Sequence, residues 1–217
     1  MRTTYVRQAP PRRGVRSWWG KAWLRAAEEA AYSEAELKPG RVLARRGEVG
    51  GITVDAGALL AAVRDGDDAW TVEVAVPVLD ETGHAAFLEA VAAESGRIPE
   101  LFAGNLPHEL VEHAEEVGVE LLPYGGELAS TCTCPHYLDP CAHAVAVLLQ
   151  TGWLVDADPL VLLAVRGVSR DDLLTARPVP PPAAEAAGPG VLDLADDVEV
   201  AVDAALRARQ LLDELDD

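Results

Sequence analysis

An α+β fold is predicted for this chain: an N-terminal helix, a small antiparallel sheet, and a helical C-terminal half carrying a metal site at a strand-to-helix junction. Three observations predict it. Apolar residues recur at helical spacing after Trp18, alternate with a period of two as far as Val78, and return to helical or continuous runs beyond Glu81.

Residues 1–17 carry Arg2, Arg7, Arg12, Arg13 and Arg16 with Pro10 and Pro11 and show no apolar period, so they read as a basic arm. From Trp18, the positions Trp19, Trp23, Ala26 and Ala30 share one helix face, with Lys21, Arg25, Glu28 and Glu29 on the other. Pro39 and Gly40 are expected to end this helix. Between Arg41 and Val78, turn residues at Gly47, Asp55 to Gly57 and Asp65 to Asp67 divide the chain into short runs, as in a meander. Val72, Val74, Val76 and Val78 share one face of a half-buried strand, while Leu59 to Val63 suits a strand or a helix. Helices follow at Glu81 to Glu94 and Pro107 to Glu116, then a short strand at Val119 to Leu122. Ala144 to Leu149 is apolar on all sides, as in a core helix. Asp158 and Pro159 open another helix that closes at Gly167, and Ser169 to Asp172 resembles a capping box. The α+β domain is thus expected over 18–177. Residues 178–190, rich in Pro, Ala and Gly, read as a linker, and 191–217 as an acidic tail with amphipathic helical spacing through Val198, Val202, Ala205 and Leu212.

The 217 residues suffice for one domain with appendages, and no apolar stretch is long enough for a membrane span. The N-terminus lacks the apolar core of a secretory signal, so a cytoplasmic location is expected. Net charge is −18 but divides unevenly: 1–47 carries +7 and the remainder −25. So acidic a body repels polyphosphate, and any nucleic-acid contact has to run through the arm or a basic partner.

All three cysteines fall in one ten-residue window, Cys132 to Cys141, beside His143. The count is odd and the spacing too tight for a disulfide framework. The run Cys132-Thr-Cys-Pro-His-Tyr-Leu-Asp-Pro-Cys-Ala-His143 presents two close ligand pairs around a six-residue loop, which suits one tetrahedral, structural zinc held by Cys132, Cys134, Cys141 and His143. In an extended segment Cys132 and Cys134 point the same way. Within a regular helix Cys141 and His143 would diverge by roughly 200°, so Cys141 is expected just before a helix and His143 on its first turn. The competing readings are three buried small hydrophobes beside a surface histidine, and His136 as a substitute ligand.

The C-x-C, six-residue gap and C-x-H pattern resembles the SWIM zinc finger, named for Swi/Snf-family ATPases and MuDR transposases. The resemblance puts the finger at about 120–155. Trp18-Trp-Gly-Lys-Ala-Trp23 and Asp158-Pro-Leu-Val-Leu-Leu-Ala-Val-Arg-Gly167 are also similar to bacterial SWIM-finger proteins, which often accompany Swi/Snf-type helicases. This similarity extends over roughly 18–176, and it implies a Swi/Snf-type ATPase as partner. Where such proteins carry Pro-Asp after the second cysteine and Lys between the last two ligands, this chain has His136 and Ala142. The missing lysine weakens a phosphate-binding role for the finger itself.

Other signals fail on spacing. His108-Glu-Leu-Val-Glu-His113 has one residue too many for H-E-x-x-H, which sets the histidines about 140° apart on a helix. Gly14 to Lys21 has five residues between its glycines instead of four, and Ala22 replaces the hydroxyl that a phosphate-binding loop needs. A filled zinc sphere leaves no position for catalytic water, so no enzyme activity is expected. Trp19 and Trp23 fit a packed helix stripe better than base stacking. Arg12, Arg13 and Arg16 need an acidic partner, nucleic acid or solvent, which makes them the candidate nucleic-acid contacts. Two functions follow as expectations: a non-catalytic adaptor that docks on a partner protein, or a nucleic-acid binder that uses the arm.

Overall fold

The structure is a computed structural model that describes residues 2–31 and 33–176. The expected linker and acidic tail lie outside the described residues.

Not all of the basic N-terminal segment is an arm: Thr3–Tyr5 form an edge strand, β1, paired antiparallel with residues 52–54. Three residues are too short to show a period. Ser17 then opens α1 (Trp18–Ala30), its hydroxyl accepting from the Gly20 amide at 3.1 Å. Trp19, Trp23 and Ala26 turn inward, as their spacing predicts; Ala30 is only half-buried, and Ala27 is buried in its place.

Pro39 and Gly40 do not end a helix; they lie inside a second one, α2 (Glu34–Arg46), which stops at Gly47 in the left-handed conformation. A proline on the second turn removes one backbone bond, and burial of Leu37, Leu43 and Ala44 offsets the loss. Gly40 is there for contact: a Cβ at that position would come within 2.5 Å of Val145 Cγ1, so only glycine allows this close helix crossing.

The expected meander is present as β2 (Val49–Asp55), β3 (Ala58–Asp65) and β4 (Asp68–Ala75), joined much later by β5 (Ala129–Cys132). Sheet order is β1-β2-β3-β4-β5, antiparallel throughout, and Leu59 to Val63 belongs to a strand. Ile52, Val54, Leu59, Ala61, Val63, Val72 and Val74 are buried on it.

Three helices separate β4 from β5: α3 (Glu81–Ala92), α4 (Arg97–Phe102) and α5 (His108–Glu116). Pro107 serves as the N-cap of α5 instead of its first turn. The expected strand at Val119 to Leu122 is absent. Val119 and Leu121 are buried without a strand partner, and the Glu120 carbonyl accepts from the Arg166 guanidinium at 2.7 Å. Their apolar alternation reflects burial, not pairing.

The chain closes with α6 (Ala142–Ala157), α7 (Pro159–Val165) and α8 (Arg170–Thr175). Asp158 caps α7, and the Ser169–Asp172 capping box forms as expected. The continuous apolar run of α6 is explained by its position, with the sheet against it on one side and α1 and α2 on others. Where α1 crosses, a Cβ on Gly152 would come within 2.6 Å of Leu24. Among the described residues, no helix is long and apolar enough to cross a membrane.

Candidate metal centre

Strand β5 ends at Cys132, placed opposite Val72 of β4. Thr133 continues the pairing for one more step: its amide donates to the Thr71 carbonyl, and its hydroxyl accepts from the Thr71 amide, both at 3.0 Å. The chain then bends at residues 133–135, which keeps the Cys134 sulfur within 4.8 Å of that of Cys132. The loop then turns back to Cys141, the N-cap residue of α6, which leaves His143 on the first helical turn. The Asp139 carboxylate braces the loop by accepting from the amide and hydroxyl of Ser130.

One candidate ligand atom from each of Cys132, Cys134, Cys141 and His143 lies within 4.8 Å of the others, and no second such cluster occurs among the described residues. Cys134 Sγ and Cys141 Sγ are 3.7 Å apart, while His143 Nδ1 lies 3.8 Å from both Cys132 Sγ and Cys141 Sγ. Tetrahedral zinc, with bonds of about 2.3 Å to sulfur and about 2.0 Å to nitrogen, requires about 3.8 Å between sulfurs and about 3.5 Å between sulfur and nitrogen. The donor set therefore fits the ion. None of the cysteines forms a disulfide.

Burial shapes the chemistry of the thiols. It pushes Cys132 up from the ordinary 9.0 to about 12, against partial relief from the Cys134 amide, and it raises Cys141 as well. Without a cation these sulfurs hold their protons; a bound divalent ion displaces them.

Two carboxylates that carry no sequence signal complete the surroundings. Glu36 of α2 is buried, and its Oε2 accepts from the Ala142 amide at 3.1 Å, satisfying an otherwise unpaired donor at the start of α6. Asp65, at the end of β3, lies 3.3 Å from His143 Nε2. The Trp70 ring stands 6.0 Å from the imidazole.

Residues 117–152 match the family described as SWIM zinc finger. That stretch contains all four candidate ligands, Cys132, Cys134, Cys141 and His143. Over 163 residues the chain is also 29% identical to the uncharacterized protein Rv2102 of Mycobacterium tuberculosis, a stretch covering 74% of this chain and 58% of that protein. The chain thus spans less than two thirds of the relative's length. No solved structure matches it.

The remaining sequence candidates stand apart from the finger's ligand cluster. His136 is exposed and stacks on Tyr137 within the loop. His108 pairs with Glu112 and packs near Trp18, while His113 Nδ1 faces the Arg97 guanidinium at 2.9 Å; the two histidines share no metal site. Trp19 and Trp23 are core residues whose indoles donate to the Val155 and Leu148 carbonyls. Arg12, Arg13 and Arg16 have exposed side chains that form no ion pair among the described residues.

Proposed function

We propose that the protein is a non-catalytic adaptor in which one structural zinc, held by Cys132, Cys134, Cys141 and His143, fixes a surface for docking on a protein partner. The supporting observation is the ligand set itself: three sulfurs and one imidazole nitrogen lie within 4.8 Å of one another, a donor set that would fill the four positions of a structural zinc. Its proposed partner class, a Swi/Snf-type ATPase, rests on the resemblance of the tryptophan-rich and Asp158 to Gly167 segments to helicase-associated SWIM proteins. The strongly acidic body suits a protein partner better than direct contact with nucleic acid.

A pull-down from nuclease-treated extract with the zinc-loaded full chain, read by mass spectrometry, tests this reading. An ATPase recovered by the wild type and lost with Cys141→Ser is expected. Recovery that disappears with nuclease would overturn the adaptor.

A second reading, direct nucleic-acid binding, is favoured by Arg12, Arg13 and Arg16, which are exposed and form no ion pair among the described residues. It predicts that the isolated chain binds a fluorescent oligonucleotide at low salt, that affinity falls steeply as salt is added, and that changing the three arginines to Ala abolishes it. Anisotropy showing no affinity at low salt would retire this reading.

A further inference from the structure

The zinc reading assigns four ligands, and on that reading rests a question about the fourth: which imidazole nitrogen meets the ion, and what makes the choice. The two nitrogens of His143 face different surroundings. Nδ1 points at the sulfurs, 3.8 Å from Cys132 Sγ and from Cys141 Sγ. Nε2 points away from them, 3.3 Å from Asp65 Oδ2. A neutral imidazole carries one proton, and a carboxylate can only accept, so this pairing puts the proton on Nε2 and the lone pair on Nδ1.

We propose that Asp65 is a positioning residue for the metal centre: its carboxylate fixes His143 in the Nε2-protonated tautomer, presents Nδ1 to the zinc and raises the basicity of that nitrogen. Metal-bound histidines are commonly oriented in this way by a partner on the opposite nitrogen. The placement extends the centre beyond the finger. Asp65 closes β3 opposite Asp68, the first residue of β4. Through His143 the β3–β4 hairpin is tied to the first turn of α6, and through the Thr71–Thr133 pair the same hairpin is tied to the strand that brings Cys132 and Cys134. The ligands on both sides of the loop are therefore set against one hairpin.

The size of the effect follows from exposure. The Asp65 side chain is 58% exposed while that of His143 is only 10% exposed, so solvent screens the carboxylate and its contribution falls at the lower end of the 10- to 100-fold range typical of such partners. Glu36 supplies an internal contrast, because it meets the same turn of α6 through a backbone amide and touches no ligand side chain.

The test uses the full chain and Zn2+ in competition with a chromophoric chelator, together with long-range nitrogen–proton NMR of the His143 ring. In the zinc-loaded wild type, the ring is expected to carry its proton on Nε2 and the metal on Nδ1. Asp65→Ala is expected to weaken zinc binding about tenfold, with melting of the metal-free protein unchanged, and Asp65→Asn, which keeps an acceptor without the charge, to fall between. Glu36→Gln should leave the tautomer as it is. Zinc bound through Nε2 in the wild type, or Asp65→Ala binding zinc within twofold of it, would overturn the proposal while leaving the four ligands in place. A wild type that takes up no zinc would overturn the zinc reading together with the proposal.

Discussion

Helix α6 is held differently at its two ends. At the N-terminal end sit Cys141, His143 and the amide that Glu36 caps, a set of polar groups whose partners are thiols, carboxylates and a fitting cation. Along the rest of the helix the partners are core residues: the Trp23 indole donates to the Leu148 carbonyl at 3.0 Å and the Trp19 indole to the Val155 carbonyl at 2.9 Å, both rings buried. In the last turn, Asp156 Oδ1 accepts from the Arg16 and Ser17 amides and the Ser17 hydroxyl, which anchors the start of α1. One end depends on an ion; the other depends on packing and on hydrogen bonds and needs none. The comparison teaches that the zinc's task is confined to the sheet–helix junction, since α6 has its own core beyond the first turn.

The largest effect should come from the packed end. Trp23→Ala removes a fully buried indole and leaves the Leu148 carbonyl without its side-chain donor, a loss of about 3–5 kcal/mol in denaturant unfolding. Zinc stoichiometry of the folded fraction should stay at one, because Trp23, on α1, meets α6 at Leu148, beyond the helical turn that carries His143. Next in size, Asp156→Ala deletes the acceptor of three hydrogen bonds and should cost about 1–3 kcal/mol, again without changing zinc affinity. Weaker zinc binding in either variant would show that the two ends are coupled.

The subtlest contrast is in pH. Burial raises the Cys132 thiol from 9.0 to about 12 in the metal-free fold and raises Cys141 too, so folding favours their protonated forms. Stability from these thiols is complete below the ordinary value and is lost as pH climbs from 9 towards 12. Metal-stripped protein should therefore weaken over that window in thermal melts, whereas zinc-loaded protein, with its thiolates already formed, should lack this loss. On the acid side the order reverses: protons compete with zinc for sulfur and imidazole, and the loaded form should release its metal. Matching alkaline profiles with and without zinc would break this part of the account.

The four candidate ligands were legible because they lie within twelve residues, between a strand that ends at Cys132 and a helix that begins at Ala142. Asp65 and Glu36 were not, being 78 and 106 residues from their partners; only folding brings an ordinary hairpin acid and an ordinary helix acid to the site. The misread elements have local causes. Pro39 and Gly40 look like a stop signal, yet tertiary burial keeps α2 intact and the glycine admits Val145. Val119 and Leu121 alternate like a strand because both are buried, and the Arg166 guanidinium takes up the Glu120 carbonyl in place of a strand neighbour. Thr3–Tyr5 carry too few residues to announce a strand among arginines and prolines.

Hydrogen exchange on the full chain, with zinc bound and after chelation, tests the central claim most directly. The account predicts one zinc per chain and, on its removal or in Cys141→Ser, a marked loss of protection at residues 130–147 with residues 150–157 still protected. A protein that takes up no zinc, or one whose exchange is the same with and without it, would contradict the account.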